Sequence, residues 1–230
     1  MRAPALDFTS ALYLGLDHSS AALRPWERLT TGAPAALVEP PGAAAIAQRV
    51  AALMGLERGL LAPSTLHLFW DLFSALAGPG VSIYADVGVY PIVRWGVERA
   101  AARGVPARGF AHHDPDALKR RLKLDSRRGW RPVIATDGFC PSCGGPAPVV
   151  EYLKLARDYG GILVIDDTQA LGILGHSPDA LAPYGKGGGG VLRWSDIAGP
   201  DLLVGSSLAK GFGAPVAALC GGRALIDHFK

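Results

Sequence analysis

Apolar positions along the chain fall into two alternating periods. Residues 43–56 (AAAIAQRVAALMGL) place Ile46, Val50, Leu53 and Met54 on one helical stripe, with Gly55 as the stop signal. A second helical stretch, 66–77, follows the turn signal Pro63, Ser64 and Thr65. Short apolar runs bounded by Gly, Pro or Asp occur at 81–85, 132–136, 161–166, 202–206 and 215–220, and these predict buried strands. Helical patterns at 91–103, 115–123 and 148–159 lie between the earlier runs, the middle one opened by Asp114, Pro115 and Asp116 as cap and first turn. Alternating strands and helices predict an α/β fold, a mostly parallel sheet with helices on both faces. Function in such sheets gathers at the carboxyl ends of the strands.

The segment 176–200 breaks this rhythm and predicts a mobile surface loop. Gly185, Gly187 and Gly190 formally satisfy G-x-G-x-x-G, but the run follows no predicted strand and opens no clear helix, so it is not read as a nucleotide fingerprint.

Composition narrows the field. Apolar residues make up 49% of 230 and charged residues 19%, which excludes extensive disorder. Glycine, at 30 residues, is frequent enough to indicate many turns. Lys plus Arg number 23 against 20 Asp plus Glu, scattered along the chain, which leaves no footprint for nucleic acid. No apolar run is long enough for a membrane span. The stretch 11–16 after Arg2 is a poor secretory signal because Asp7 and Asp17 bracket it, so a cytoplasmic location is expected. Three cysteines are a poor disulfide framework and agree with that compartment.

The segments GILVIDDTQALGILG (161–175) and DLLVGSSLAKGFG (201–213) carry the chemistry. They resemble the strand-end Asp motif and the lysine motif of fold-type-I pyridoxal-phosphate enzymes. The nearest branch is the α-oxoamine synthases, which includes 8-amino-7-oxononanoate synthase. LYLGLDH at 12–18, LLAPSTLHLFWDLFSALAGPG at 60–80 and TDGFCPSCGGPAPV at 136–149 resemble further elements of that branch in the same order.

The resemblance implies pyridoxal 5'-phosphate as cofactor, with Lys210 holding its aldehyde as a Schiff base and carrying protons, and Asp166 keeping the ring nitrogen protonated. An ion pair at ~4 Å and an effective dielectric of ~20 gains ~4 kcal/mol, enough to favour a protonated ring. Ser64, Thr65, the amide of Leu66 and Ser207 stand where the phosphate is bound, although helix capping uses the same residues at 64–66. Alignment of Asp86 and Gly96 brings Tyr90 to the place of the stacking histidine; an aromatic packed at a strand-to-helix corner is the alternative. Gln169 stands where the branch has a histidine, and it can hydrogen-bond the cofactor's phenolic oxygen but cannot titrate. Pro141 replaces a frequent serine, removing a hydroxyl and a backbone donor, with Ser142 next to it.

The implied activity is transfer to an amino acid, C-acylation by an acyl thioester such as an acyl-CoA, in a homodimer. An aminotransferase on the same scaffold and a catalytically silent domain remain open. The resemblance divides the chain into an N-terminal arm (1–40) and a cofactor-binding large domain (41–230), with the C-terminal small domain absent and the chain truncated. Cys140 and Cys143 form C-P-S-C, with His112 and His113 the nearest preceding ligand types and no second C-x-x-C; they are read as two loop thiols near the cofactor's edge, with no metal assigned. Cys220, in an apolar run, is expected in the core.

Overall fold

The computed structural model describes residues 11–16, 18 and 39–229, so most of the expected N-terminal arm, including Asp7 and Asp17, lies outside the described residues. Its elements are α1 (Ala43–Met54), β1 (Arg58–Ala62), α2 (Thr65–Leu76), β2 (Val81–Asp86), α3 (Pro91–Ala102), β3 (Ala107–Phe110), α4 (Pro115–Asp125), β4 (Arg131–Asp137), β5 (Phe139–Cys140), β6 (Gly145–Pro146), α5 (Val149–Asp158), β7 (Ile162–Asp166), α6 (Val191–Trp194), β8 (Leu202–Ser207), β9 (Ala217–Gly221) and α7 (Arg223–His228). Seven strands form one sheet in the order β1-β9-β8-β7-β4-β2-β3. The run from β8 to β3 is parallel throughout, whereas β9 runs antiparallel to both β8 and β1. Every predicted strand and helix is present within a few residues of its expected ends, and the α/β class holds.

The sequence of β7 reads as an unbroken apolar run because both its faces are covered. Leu163 and Ile165 enter the core beneath α4 and α5, while Ile162 and Val164 enter the opposite core beneath α2 and α3. β4 divides in the same way, with Ile134 on one side and Val133 and Ala135 on the other. The alternation expected of a strand is therefore present but hidden.

The stripe expected on α1 is corrected. Ala43, Ala47, Ala51 and Met54 are its buried residues, whereas Ile46 and Leu53 are exposed. The cause lies on β1: a side chain at Gly59 would strike the carbonyl of Ala47. The helix backbone comes so close to the strand that only alanine fits between them, and size outweighs hydrophobicity.

Two strands of the seven-stranded sheet lie outside the predicted runs, for a shared reason. β1 (RGLLA) is half-buried along its whole length, and β3 (ARGF) buries only Phe110, so neither edge strand contains an apolar run. The expected surface loop at 176–200 is exposed over most of its length but is tied to the core at 189–192. Bridges join Leu171 to Gly189 and His176 to Lys186, and Val191 and Leu192 of α6 are buried. Asp167 anchors the segment: its fully buried carboxylate accepts the amide of Val191 at 3.1 Å, and a side chain at Gly190 would collide with it. Burial raises the Asp167 carboxyl well above the ordinary range. Among the described residues no helix is long and apolar enough to cross a membrane. All three cysteines are free, and Cys220 is buried in β9 as expected.

Candidate active site

The carboxyl ends of β4, β7 and β8 open beside the N-termini of α2 and α3. A cleft of about 60 Å³ lies there, lined by Thr65, Tyr90, Ile92, Asp137, Pro141, Asp166, Thr168, Gln169, Ser207 and Lys210. Parallel pairing explains the convergence. Asp137 and Asp166 are register partners on β4 and β7, and Asp166 is in turn the partner of Gly205, two residues before Ser207 on β8.

Asp166 ends β7 in the core, and one carboxylate oxygen accepts the amide of Thr168 at 3.0 Å. Burial pushes its carboxyl up, while the Thr168 hydrogen bonds and the charge of Lys210 pull it back. Among the described residues no cationic side chain is in salt-bridge contact with it. A buried carboxylate in that state calls for a cationic partner from outside the chain.

Lys210 lies in the turn after β8, and its Nζ stands 5.0 Å from the centre of the Tyr90 ring. Tyr90 is the N-cap residue of α3, followed by Pro91 at the first helical position; its amide donates to both oxygens of Asp137, at 3.0 and 3.1 Å. The ring is left partly exposed to the cleft. Ser207 is held by its own amide, which donates to Thr168 Oγ1 at 2.9 Å. The Thr168 carbonyl accepts from the Tyr13 hydroxyl at 2.9 Å, so the described residues 11–16 brace this wall.

Six of the eight expected site residues, Lys210, Asp166, Gln169, Tyr90, Thr65 and Ser207, meet on the cleft wall. Ser64 does not. It caps α2, its hydroxyl accepting the amide of His67 at 3.4 Å and pairing with the His67 ring at 3.0 Å. The Leu66 side chain is exposed and off the wall, so only its amide, in the first turn of α2, could serve.

Asp137, Thr168 and Ile92 were missed. Asp137 has a readable signal in the sequence, as the acid of the strand-end TDG at 136–138. Burial and the neighbouring Asp166 charge raise its carboxyl to about 7, against the pull of the Tyr90 amide. The folded state therefore holds this proton more tightly than the unfolded chain, whose value is 3.8. The resulting stabilisation is complete below about pH 4 and is lost as pH rises through 7; a shift of this size is worth at most about 4 kcal/mol. Asp137→Asn keeps an oxygen for the Tyr90 amide and removes the titration. Its urea midpoint relative to wild type should rise between pH 5 and pH 8, and an equal difference at the two pH values would exclude this role.

A family model for aminotransferase class I and II matches residues 6–230. The chain belongs to that family. Among its relatives, the 8-amino-7-oxononanoate synthase of Alkalilimnicola ehrlichii is 34% identical over 80% of this chain and 44% of its own length. The corresponding synthase of Acidithiobacillus ferrooxidans is 32% identical over 97% of this chain and 56% of its own. The chain thus spans about half the length of these curated relatives. In solved structures, a Sphingomonas wittichii serine palmitoyltransferase superposes with a TM-score of 0.76 at 17% identity, covering 96% of this chain and 53% of that one. The 8-amino-7-oxononanoate synthase of Francisella tularensis gives 0.69 at 20%, covering 97% and 60%. A high-resolution serine palmitoyltransferase structure that contains pyridoxal phosphate matches at 0.68 over 80% of this chain and 43% of its own. These likenesses identify the class I and II aminotransferase fold, with its mostly parallel sheet.

Proposed function

We propose that this chain provides the cofactor site of a pyridoxal-phosphate-dependent transferase that joins an amino acid to the acyl group of a thioester such as an acyl-CoA. The observation that carries the reading is the meeting of Lys210, Asp166 and the Tyr90 ring on one cleft. The residues present fit the cofactor: a buried carboxylate with no salt-bridge partner among the described residues shares the cleft with an amine, an aromatic ring and a helix N-terminus. When bound, pyridoxal phosphate supplies the electron sink for the bond that breaks at the amino acid's α-carbon.

The chain's own groups do the rest. Lys210 would hold the cofactor and would move a proton at the amino acid's α-carbon. Asp166 holds a proton on the ring nitrogen by pairing with it in a dry setting. Tyr90 packs against the ring, and Gln169 donates to its phenolic oxygen. Thr65, the first-turn amides of α2 including that of Leu66, and Ser207 bind the phosphate, whereas Ser64 acts through the cap it provides. Gln169 cannot change charge, so it carries no proton at this wall.

The names of the synthase and palmitoyltransferase relatives support acyl transfer over transamination. Three free cysteines support a reducing, cytoplasmic setting, and the family resemblance supports a homodimer. Free thiol released from an acyl-CoA only when an amino acid is present selects the acyltransferase; conversion of the cofactor to its amine form by amino acid alone selects the aminotransferase. Asp166→Asn should slow turnover by up to about 10³-fold, from the ~4 kcal/mol pair it weakens. Unchanged turnover would remove Asp166 from the mechanism.

A further inference from the structure

Next to the cleft, but outside it, the structure joins two pairs of residues that are far apart in sequence. β4, β2 and β3 are parallel neighbours, so their carboxyl ends emerge at one edge of the sheet. β2 ends in Asp86, β3 leads into His112 and His113, and β4 leads into the β5–β6 hairpin that carries Cys140 and Cys143. One ligand atom from each of His112, Cys140 and Cys143 lies within 4.8 Å of the others. His113 Nδ1 approaches Cys143 Sγ at 3.8 Å. Bond lengths of ~2.3 Å for zinc–sulfur and ~2.05 Å for zinc–nitrogen put tetrahedral ligand atoms ~3.3 Å apart for two nitrogens, ~3.6 Å for sulfur and nitrogen and ~3.8 Å for two sulfurs.

The surroundings are arranged as a ligand set requires. Asp86 Oδ1 takes His112 Nδ1 at 2.7 Å, and Oδ2 accepts the His113 amide at 3.0 Å. That contact places the His112 proton on Nδ1 and leaves a lone pair on Nε2. His112 Nε2 is buried and has no hydrogen-bond partner among the described residues. A side chain at Gly88 would strike the His112 ring, so the imidazole is held from behind as well. His113 takes a left-handed backbone, φ 53°, which is costly for a non-glycine residue, and its ring stacks on that of His112 with the centres 3.8 Å apart. On the hairpin, the Cys143 amide points at Cys140 Sγ at 3.5 Å, the Gly144 amide closes the turn on the Cys140 carbonyl at 2.9 Å, and Gly144 supplies the φ of 72°. An amide aimed at a sulfur stabilises a thiolate.

We propose that His112, His113, Cys140 and Cys143 form a structural zinc site, with Asp86 as the positioning residue that orients His112. Two thiolates and two imidazoles select zinc over calcium or magnesium. Binding converts two thiols to thiolates and releases two protons, with no change of oxidation state. The metal staples the hairpin to the loop after β3, which fixes Pro141 against the cofactor cleft. The proposal does not depend on what the cleft binds.

The test is metal analysis of the purified 230-residue chain, followed by cobalt titration of the metal-stripped, reduced protein. About one zinc per chain should survive dialysis, and cobalt should saturate at about one equivalent with sulfur-to-cobalt charge-transfer bands and the intense visible bands of a tetrahedral site. Cys143→Ser should lose both signals, while Cys220→Ser keeps them. Asp86→Asn should weaken cobalt binding roughly 10–100-fold. Because Cys143→Ser can fail to fold, the wild-type cobalt spectrum and its displacement by zinc stand as a separate criterion. Folded, reduced wild type that holds neither metal overturns the proposal. So does undiminished metal in Cys143→Ser, or a Cys140–Cys143 disulfide that persists in thiol reductant.

Discussion

Lys210→Ala should yield a colourless protein from which pyridoxal phosphate dialyses away, whereas wild type retains the cofactor and absorbs visible light. The effect is large because the amine forms the only covalent link proposed between chain and cofactor. Loss of the proton carrier alone should lower amino-acid-dependent turnover roughly 10²–10⁴-fold. The ring of Tyr90, 5.0 Å from the Lys210 amine, stays in place in this variant, so residual non-covalent binding should be weak but detectable by fluorescence. The decisive measurement is an absorption spectrum of dialysed wild type and variant at equal concentration. Bands of equal intensity would place the covalent attachment elsewhere and remove the central residue of the functional reading.

Phe69→Ala should destabilise the fold by about 3–5 kcal/mol, the cost of emptying a fully buried aromatic site. Phe69 lies on α2 at the junction of three elements. A side chain at Gly205 on β8 would meet its ring at 2.6 Å, and one at Gly96 on α3 would meet its carbonyl at the same distance. Neither glycine can fill the space left behind, and the adjoining side chain is the stacked ring of Phe73, 6.4 Å away between centres. The residue also sets where the N-terminus of α2, with Thr65, stands relative to Ser207. The variant should therefore lose cofactor affinity along with stability. Urea unfolding measures the first effect and cofactor titration of the folded fraction the second. A loss below about 1 kcal/mol would mean that the α2–α3–β8 junction relaxes freely.

Much of the architecture is legible in the chain, and the exceptions share causes. Central strands such as β7 stand out because burial on both faces makes every residue apolar. The edges β1 and β3 do not, because half-buried strands admit Arg and Gly and show no period. On α1 the apolar pattern points to Ile46, while packing selects Ala47, since the decisive residue is a glycine on another element. Lys210 and Asp166 are recognisable because local motif and strand end coincide. Asp137 is less so, because its role comes from its register partner Asp166 on the neighbouring strand.

The amino-acid order alone was enough for the class of fold, the family, and the lysine and carboxylate proposed for its cofactor, because each is encoded by short-range pattern within one strand and its following turn. Which helical face is buried, which serine caps and which faces the cleft, and how the glycine-rich segment is anchored on Asp167 depend on elements brought together from distant parts of the chain. The gathering of His112 and His113 with Cys140 and Cys143 is the clearest case. Their separation in sequence says nothing of proximity, and only the parallel order of β4, β2 and β3 brings them to one edge.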